Sequence, residues 1–267
     1  MLSNQNIDPN IKFYIKGEFK TALFLAIESN KIEIVKALLS NQNIDLNIKF
    51  IRNGCESTAL SQDIENNKIE ITILISNCQK NNFNIPLTYE SFKERTPLSM
   101  AIEKNNMEII QILLSNQEID LNVKFNFGGL TRLEKTALSL AIEKNNTELI
   151  TLLLSKTGID TNVKLINNHR CSWYDQFVFE EQTVLSKAVE DKNIELIKLL
   201  LSNPNTDPNL KLTIKDHENE KILFEQSALL IATMKRQKYA LNLFLNCSRN
   251  VAREIVSQLF ERTNRKK

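Results

Sequence analysis

Residues 21–50 read TALFLAIESNKIEIVKALLSNQNIDLNIKF. The same pattern returns as TPLSMAIEKNNMEIIQILLSNQEIDLNVKF at 96–125, TALSLAIEKNNTELITLLLSKTGIDTNVKL at 136–165 and TVLSKAVEDKNIELIKLLLSNPNTDPNLKL at 183–212. A degraded copy, TALSQDIENNKIEITILIS, starts at Thr58, and a more divergent one, SALLIATMKRQKYALNLFL, at Ser227. Self-similarity at such a period means that each unit is one supersecondary element, which buries its apolar face on its neighbours. The units start at residues 21, 58, 96, 136, 183 and 227, so only the length of the connections varies.

Within a unit the apolar residues have helical spacing. Leu23, Ala26 and Ile27 share one face of a short helix, and Ile34, Val35, Leu38 and Leu39 one face of a second. Between the two stands an asparagine, Asn30, Asn67, Asn105 or Asn145, with Asn193 in the corresponding turn region. Asparagine tolerates the left-handed conformation that ends a helix. After the second helix comes Ile-Asp-Leu-Asn or a relative, at 7–10, 44–47, 119–122, 159–162 and 206–209, whose short polar side chains favour turns. Apolar and polar residues then alternate, as in Ile48-Lys49-Phe50, which predicts a strand. Helix, helix, hairpin is the expected unit.

On these residues the chain resembles the ankyrin repeat family, whose TPLHxA signature stands here as Thr21-Ala22-Leu23-Phe24-Leu25-Ala26 and Thr96-Pro97-Leu98-Ser99-Met100-Ala101. The resemblance implies a mainly α fold, an ankyrin-like solenoid of stacked helix-turn-helix repeats joined by long β-hairpins. It also implies a non-enzymatic scaffold that binds a protein partner through its hairpin fingers and concave face. Two departures stand out. The signature's histidine is replaced by Phe24, Ser61, Ser99, Ser139, Ser186 or Leu230, so its hydrogen bonds must be replaced or lost, and the hairpins are longer than usual.

One continuous solenoid domain is expected. It comprises a partial repeat and hairpin at 1–20, repeats over 21–226, and a divergent last repeat with a basic capping helix at 227–267. The first helix pair would then expose an apolar flank, so either the chain is a fragment of a longer array or another surface covers that flank; a monomer or such a fragment is expected. In the second unit Asp63 stands where the others have alanine, so a carboxylate should loosen the stack there or require a partner. A hinge over 58–95 is the corresponding hypothesis.

Composition sets further limits. The 267 residues carry 34 Lys and Arg against 32 Asp and Glu, a formal charge of +2. That near-neutrality is a cancellation, since residues 227–267 hold nine Lys and Arg against two Asp and Glu while the rest of the chain is mildly acidic. No run approaches the ~20 apolar residues of a membrane helix, and MLSNQNIDPN has no signal-peptide features. The expected location is cytoplasmic, with the nucleus as the alternative. With 5 glycines and 2 histidines the chain has little material for phosphate loops or multi-histidine metal centres. His169 and Cys171 make a weak metal signal, and GxSxG, HExxH and GxGxxG are absent. No catalytic residue, metal or cofactor is expected. The 33 asparagines are dispersed and read as compositional bias.

Three features are candidates for partner binding. Seven residues after each starting Thr stands a glutamate, Glu28, Glu65, Glu103, Glu143 or Glu190, a row that would attract a basic segment. The longest finger, 165–182, carries Arg170, Trp173, Tyr174 and Phe177, residue types that dominate interface hot spots. The third is a row of finger lysines, Lys12, Lys49, Lys124, Lys164 and Lys211, which with the basic cap gives the alternative reading, a nucleic-acid or anionic-surface binder. Cross-strand pairing with Glu18, Glu56, Glu134, Glu181 and Glu225 accounts for that row, so nucleic acid is not the expected partner.

Overall fold

The computed structural model describes residues 8–15, 17–52, 54–78, 81–89, 93–126, 134–171, 176–216 and 222–247. They fold into two compact units, residues 1–132 and 133–267. The first holds β1 (Phe13–Ile15), β2 (Glu18–Lys20), α1 (Ala22–Glu28), α2 (Ile32–Leu39), β3 (Phe50–Arg52), β4 (Cys55–Ser57), α3 (Ala59–Glu65), α4 (Ile69–Ser76), β5 (Leu87–Tyr89), β6 (Lys93–Arg95), α5 (Pro97–Glu103), α6 (Met107–Ser115) and β7 (Phe125–Asn126). The second holds β8 (Glu134–Lys135), α7 (Ala137–Glu143), α8 (Thr147–Leu154), β9 (Lys164–Cys171), β10 (Gln176–Thr183), α9 (Val184–Glu190), α10 (Ile194–Ser202), β11 (Lys211–Asp216), β12 (Ile222–Ser227), α11 (Ala228–Met234) and α12 (Lys238–Cys247). The sequence 251–260, expected to form the capping helix, lies outside the described residues.

Each first helix starts where a threonine or serine side chain takes up a free backbone N–H. Thr58, Thr96 and Thr136 do so in capping boxes with Ser61, Ser99 and Ser139. In the third repeat Ser99 N donates to Thr96 Oγ1 at 3.1 Å and Thr96 N to Ser99 Oγ at 2.8 Å. Serine therefore restores the turn-stabilising bonds that the family's histidine would make. In the first repeat Phe24 replaces them with packing: its ring lies 4.6 Å from that of Phe50, with Lys20 Nζ 5.7 Å from its centroid.

The helix pair is closed by a left-handed residue, with φ of +55° at Asn30, +58° at Asn67, +53° at Asn105 and +51° at Asn145. The fifth repeat corrects the sequence expectation, because its left-handed residue is Lys192 at +56°. Asn193 instead caps α10, accepting from Leu196 N at 3.0 Å, as Asn106 and Asn146 cap α6 and α8.

In the first unit α1, α3 and α5 pack side by side, as do α2, α4 and α6. Ile27, Val35, Ile64, Ile71, Ile109 and Ile110 are fully buried there. Ile34 departs from its expected place on the buried face: it is 51% exposed, whereas its equivalents Ile71 and Ile109 are 0% exposed. Those two have a helix pair before them to pack against, whereas α1 and α2 are the first pair among the described residues. Helices α3 and α4 have 7 and 8 residues, the lengths of α1 and α2, so the second repeat is a complete helix pair.

The connections carry the repeat-to-repeat order. Each Ile-Asp-x-Asn segment is an Asx turn, as where Asn47 N donates to Asp45 Oδ1 at 2.9 Å. Its asparagine then reaches the next repeat. Asn10 donates to Asn43 O at 2.8 Å and accepts from Asp45 N at 2.8 Å, and in the second repeat, where Asn82 takes the aspartate's place, Asn84 bridges in the same way to Glu118 O at 2.9 Å and Asp120 N at 2.8 Å. In the second unit Asn162 makes the same pair of bonds to Asn205 O and Asp207 N, each at 2.8 Å. These asparagines therefore have structural work beyond composition.

The fingers follow. β1–β2, β3–β4 and β5–β6 are antiparallel hairpins, with Tyr14 opposite Phe19 and Ile51 opposite Glu56. The last two fingers merge into one antiparallel sheet in the order β12-β11-β10-β9, with Val178 opposite Asp216. Strands of 8 and 6 residues supply enough backbone to pair, and Glu181 ties the two fingers together by accepting from Lys164 at 2.7 Å and Lys215 at 2.6 Å.

Replacing Asn84 with alanine removes both bridging bonds and should destabilise the first unit by about 1–3 kcal/mol, at roughly 0.5–1.5 kcal/mol per bond. Asn84→Asp, which keeps the acceptor and loses the donor, should fall between the two. Urea unfolding midpoints measure the series, and wild-type stability in Asn84→Ala would contradict the bridging role.

Candidate partner-binding surface

The glutamate row ends the first helix of every repeat, since Glu28, Glu65, Glu103, Glu143 and Glu190 are the last residues of α1, α3, α5, α7 and α9. A side chain at the base of the same repeat's finger reaches most of them. In the first unit Lys20 lies 2.8 Å from Glu28, and Arg95 3.0 Å from Glu103. In the second, Lys135 lies 2.5 Å from Glu143, while Gln182 donates to Glu190 at 2.5 Å with Lys235 at 3.9 Å. The row is largely neutralised within the molecule. Glu28 in turn raises the pKa of Lys20 by hydrogen bonding to its ammonium.

The second repeat is the exception. At the position of Lys20 and Arg95 it has Ser57, whose hydroxyl lies 3.1 Å from that of Ser61. Glu65 is exposed and makes no ion pair or side-chain hydrogen bond among the described residues. Beside it a cleft of about 510 Å3 opens between α3 and α5, lined among others by Gln62, Asn66, Arg95 and Lys104.

Within the same repeat Asp63 is fully buried and receives a hydrogen bond from the Thr72 hydroxyl of α4. Thr72 stands where the neighbouring repeats carry Val35 and Ile110, so the two polar substitutions occur as a pair. The partner that the sequence required for Asp63 is therefore present. Its Oδ1 is nonetheless left without a hydrogen bond. Burial pushes the Asp63 carboxyl up from 3.8 to about 7, against the opposing Thr72 bond and the charge of Lys68.

The finger lysines pair across their strands in three fingers, whereas in the first finger Glu18, the partner expected for Lys12, is held at 3.2 Å by Lys20 instead. Lys49 pairs with Glu56 at 2.9 Å, Lys164 with Glu181 at 2.7 Å and Lys211 with Glu225 at 3.2 Å, as cross-strand pairing predicts. Burial raises the pKa of Glu56, but the Thr88 backbone N–H and Lys49 outweigh it and hold the carboxyl low. Lys164 and Lys215 do the same for Glu181 against its burial.

In the longest finger Arg170 and Phe177 are directly opposite in the β9–β10 register. Trp173 and Tyr174 lie outside the described residues. Sequence reasoning overlooked the first two fingers, where Tyr14 is 67%, Phe19 58%, Phe13 46% and Ile51 69% exposed. Tyr14 and Phe19 face each other with ring centroids 5.0 Å apart, and Ile51 holds the position of Tyr14 in the adjoining finger. Three aromatics within IKFYIKGEFK, two of them aligned on one side by strand alternation around Gly17, were the available signal.

Among the described residues no three His, Cys, Asp or Glu side chains form a metal cluster, and no helix is long and apolar enough to cross a membrane. Helix pairs, left-handed closures and fingers recur within each unit and define a repeat protein. The sequence profile for three ankyrin repeats matches residues 23–124 and again 59–165, and the chain belongs to the ankyrin repeat family. Such repeats are generally protein–protein interaction modules and generally non-enzymatic. Among solved structures, the ankyrin effector AnkC of Legionella pneumophila is 16% identical, with a TM-score of 0.59, over 90% of this chain and 73% of that one. The ankyrin repeat protein EF0377 is 20% identical, with a TM-score of 0.51, over 83% of this chain and 95% of that one. No curated protein sequence matches.

Asp63 makes stability depend on pH. Its folded pKa lies above the unfolded one, so the contribution is complete below pH 3.8 and declines as pH rises to about 7. Asp63→Asn removes this dependence, and its stability relative to wild type should improve by as much as about 4 kcal/mol between pH 4 and pH 8, at 1.36 kcal/mol per pH unit. Thermal unfolding of both proteins across this range checks it; a constant difference would mean an ordinary Asp63.

Proposed function

We propose that this protein is a non-catalytic binding module whose protein partner docks on the exposed apolar side chains of the first two fingers and the adjoining ends of the first helices. The observation that carries the reading is the group Tyr14, Phe19 and Ile51, each more than half exposed on adjacent fingers. Large apolar side chains held out on short hairpins gain little from folding and much from burial against a partner, and aromatics do so with few rotatable bonds to order. The flanking pairs, Lys20 with Glu28 and Lys49 with Glu56, fit a polar rim that fixes orientation while contributing little affinity. An anionic surface fits less well, because Lys49, Lys164 and Lys211 already hold carboxylates. In the longest finger Arg170, Trp173, Tyr174 and Phe177 form a second candidate contact.

A photoreactive residue placed at position 14, 19 or 51 should cross-link a partner protein in cells. The same residue at Lys36 or Lys198, exposed on the second helices, should not. Adducts formed only from the helix positions would overturn the reading. With a captured partner in hand, Tyr14→Ser combined with Phe19→Ser should weaken binding at least ~10-fold, the scale of hot-spot truncation.

A further inference from the structure

The second repeat departs from its neighbours at four positions, and one of them, Gln62, lines the cleft beside Glu65. Ser57 replaces the cation that Lys20 and Arg95 supply to their repeats' glutamates. Gln62 replaces the apolar residue found as Leu25 and Met100, and Asp63 with its partner Thr72 replaces an alanine and an aliphatic residue. Gln62 lines the cleft and is 3% exposed, and its side chain makes no hydrogen bond among the described residues. Its amide opens into the cleft, where a group entering from outside can reach it. Glu65, on the same wall, is the glutamate of the first unit's row to which its own finger supplies no cation.

We infer that this cleft between α3 and α5 receives one arginine side chain from the protein partner, a deepening that rests on the binding role proposed above. The neighbouring repeats show what a glutamate at this position holds: a cationic nitrogen at 2.8 Å from Glu28 and 3.0 Å from Glu103. In the second repeat that nitrogen comes from outside. Arginine satisfies both open groups at once, because its planar guanidinium offers several N–H donors, enough for the Glu65 carboxylate and the Gln62 amide oxygen together. Its methylene stem runs against Met100, which also lines the cleft. The other charges set the limit. Arg95 is committed to Glu103, and Lys104 stands on the α5 side with its charge unpaired among the described residues. The cleft therefore accepts one cation and disfavours a polybasic run. An acidic side chain would instead meet the carboxylates of Glu65 and Glu103.

The test titrates the full chain with N-acetyl-arginine methylamide and with the lysine and glutamate analogues, reading the Gln62 side-chain amide and Glu65 carboxyl signals by NMR. The arginine probe should shift both, saturably in the millimolar range, and the glutamate probe neither. Lysine should shift Glu65 and leave Gln62 unmoved. Glu65→Gln should weaken arginine binding at least ~10-fold. Ser57→Lys supplies the missing cation from the chain's own finger and should abolish arginine binding while the protein stays folded. Equal shifts with the glutamate probe, or arginine shifts confined to other residues, would overturn the assignment. That outcome would leave cross-linking from the first two fingers untouched, whereas loss of cross-linking with an intact arginine response would sink the docking reading alone.

Discussion

Everything in this molecule depends on how one turn grips the next. In the Ile-Asp-x-Asn segment the aspartate closes its own turn and the asparagine reaches across, donating to a carbonyl and accepting from an N–H of the following repeat. The contact is bidentate and directed at backbone, so it fixes the register of neighbouring turns whatever side chains surround them. It also spares two backbone groups from going unpaired where the chain leaves its helices. Helices of 7 to 10 residues are too short to be stable alone, so their order must come from neighbours. Apolar packing between helices supplies most of the energy, and the asparagine bridges decide which residues sit side by side.

This explains what was legible in the sequence. The period, the helix pair and the turn were readable because each is encoded by residues with one dominant conformational preference: threonine at the cap, asparagine in the left-handed position, leucine and isoleucine at helical spacing. Where a substitution kept the geometry and changed the chemistry, reading by position went astray. Lys192 takes the left-handed place in the fifth repeat, and the asparagine after it becomes a cap. The dispersion of asparagine looked like bias because its three tasks, left-handed closure, helix cap and inter-repeat bridge, fall at different points of an irregular period. The merger of the last two fingers was hidden for another reason: strand length predicts hairpins, but pairing between hairpins depends on how near their backbones are held.

The candidate site was less legible than the fold. A row of glutamates at a fixed position suggests a field, yet the field is set by their partners. Those partners, Lys20, Arg95, Lys135 and Gln182, stand eight residues earlier on the return strand of the finger. Helix periodicity cannot relate positions in different elements; only the fold brings them within 3 Å. The exposure of Tyr14 and Phe19 was hidden in the same way, since alternation tells which residues share a face of a hairpin but not whether that face is covered.

The second repeat shows how a stacked array accommodates chemistry. A carboxylate at an alanine position would ordinarily disrupt close helix packing, and the hydroxyl at position 72 answers it from the paired helix, within the same repeat. Because repeat stability is a sum of internal and nearest-neighbour terms, a polar exchange answered inside one repeat need not propagate along the stack. The helices keep their lengths and the turns keep their bridges, while Ser57, Gln62 and Glu65 are freed from the pattern that binds their equivalents. Departures from a local rule that leave the surrounding geometry intact are where function is to be sought in a repeat protein. The bridging asparagines make such a departure possible: with register held by the turns, one repeat can lose a cation and gain an open cleft without moving the fingers that stand beside it.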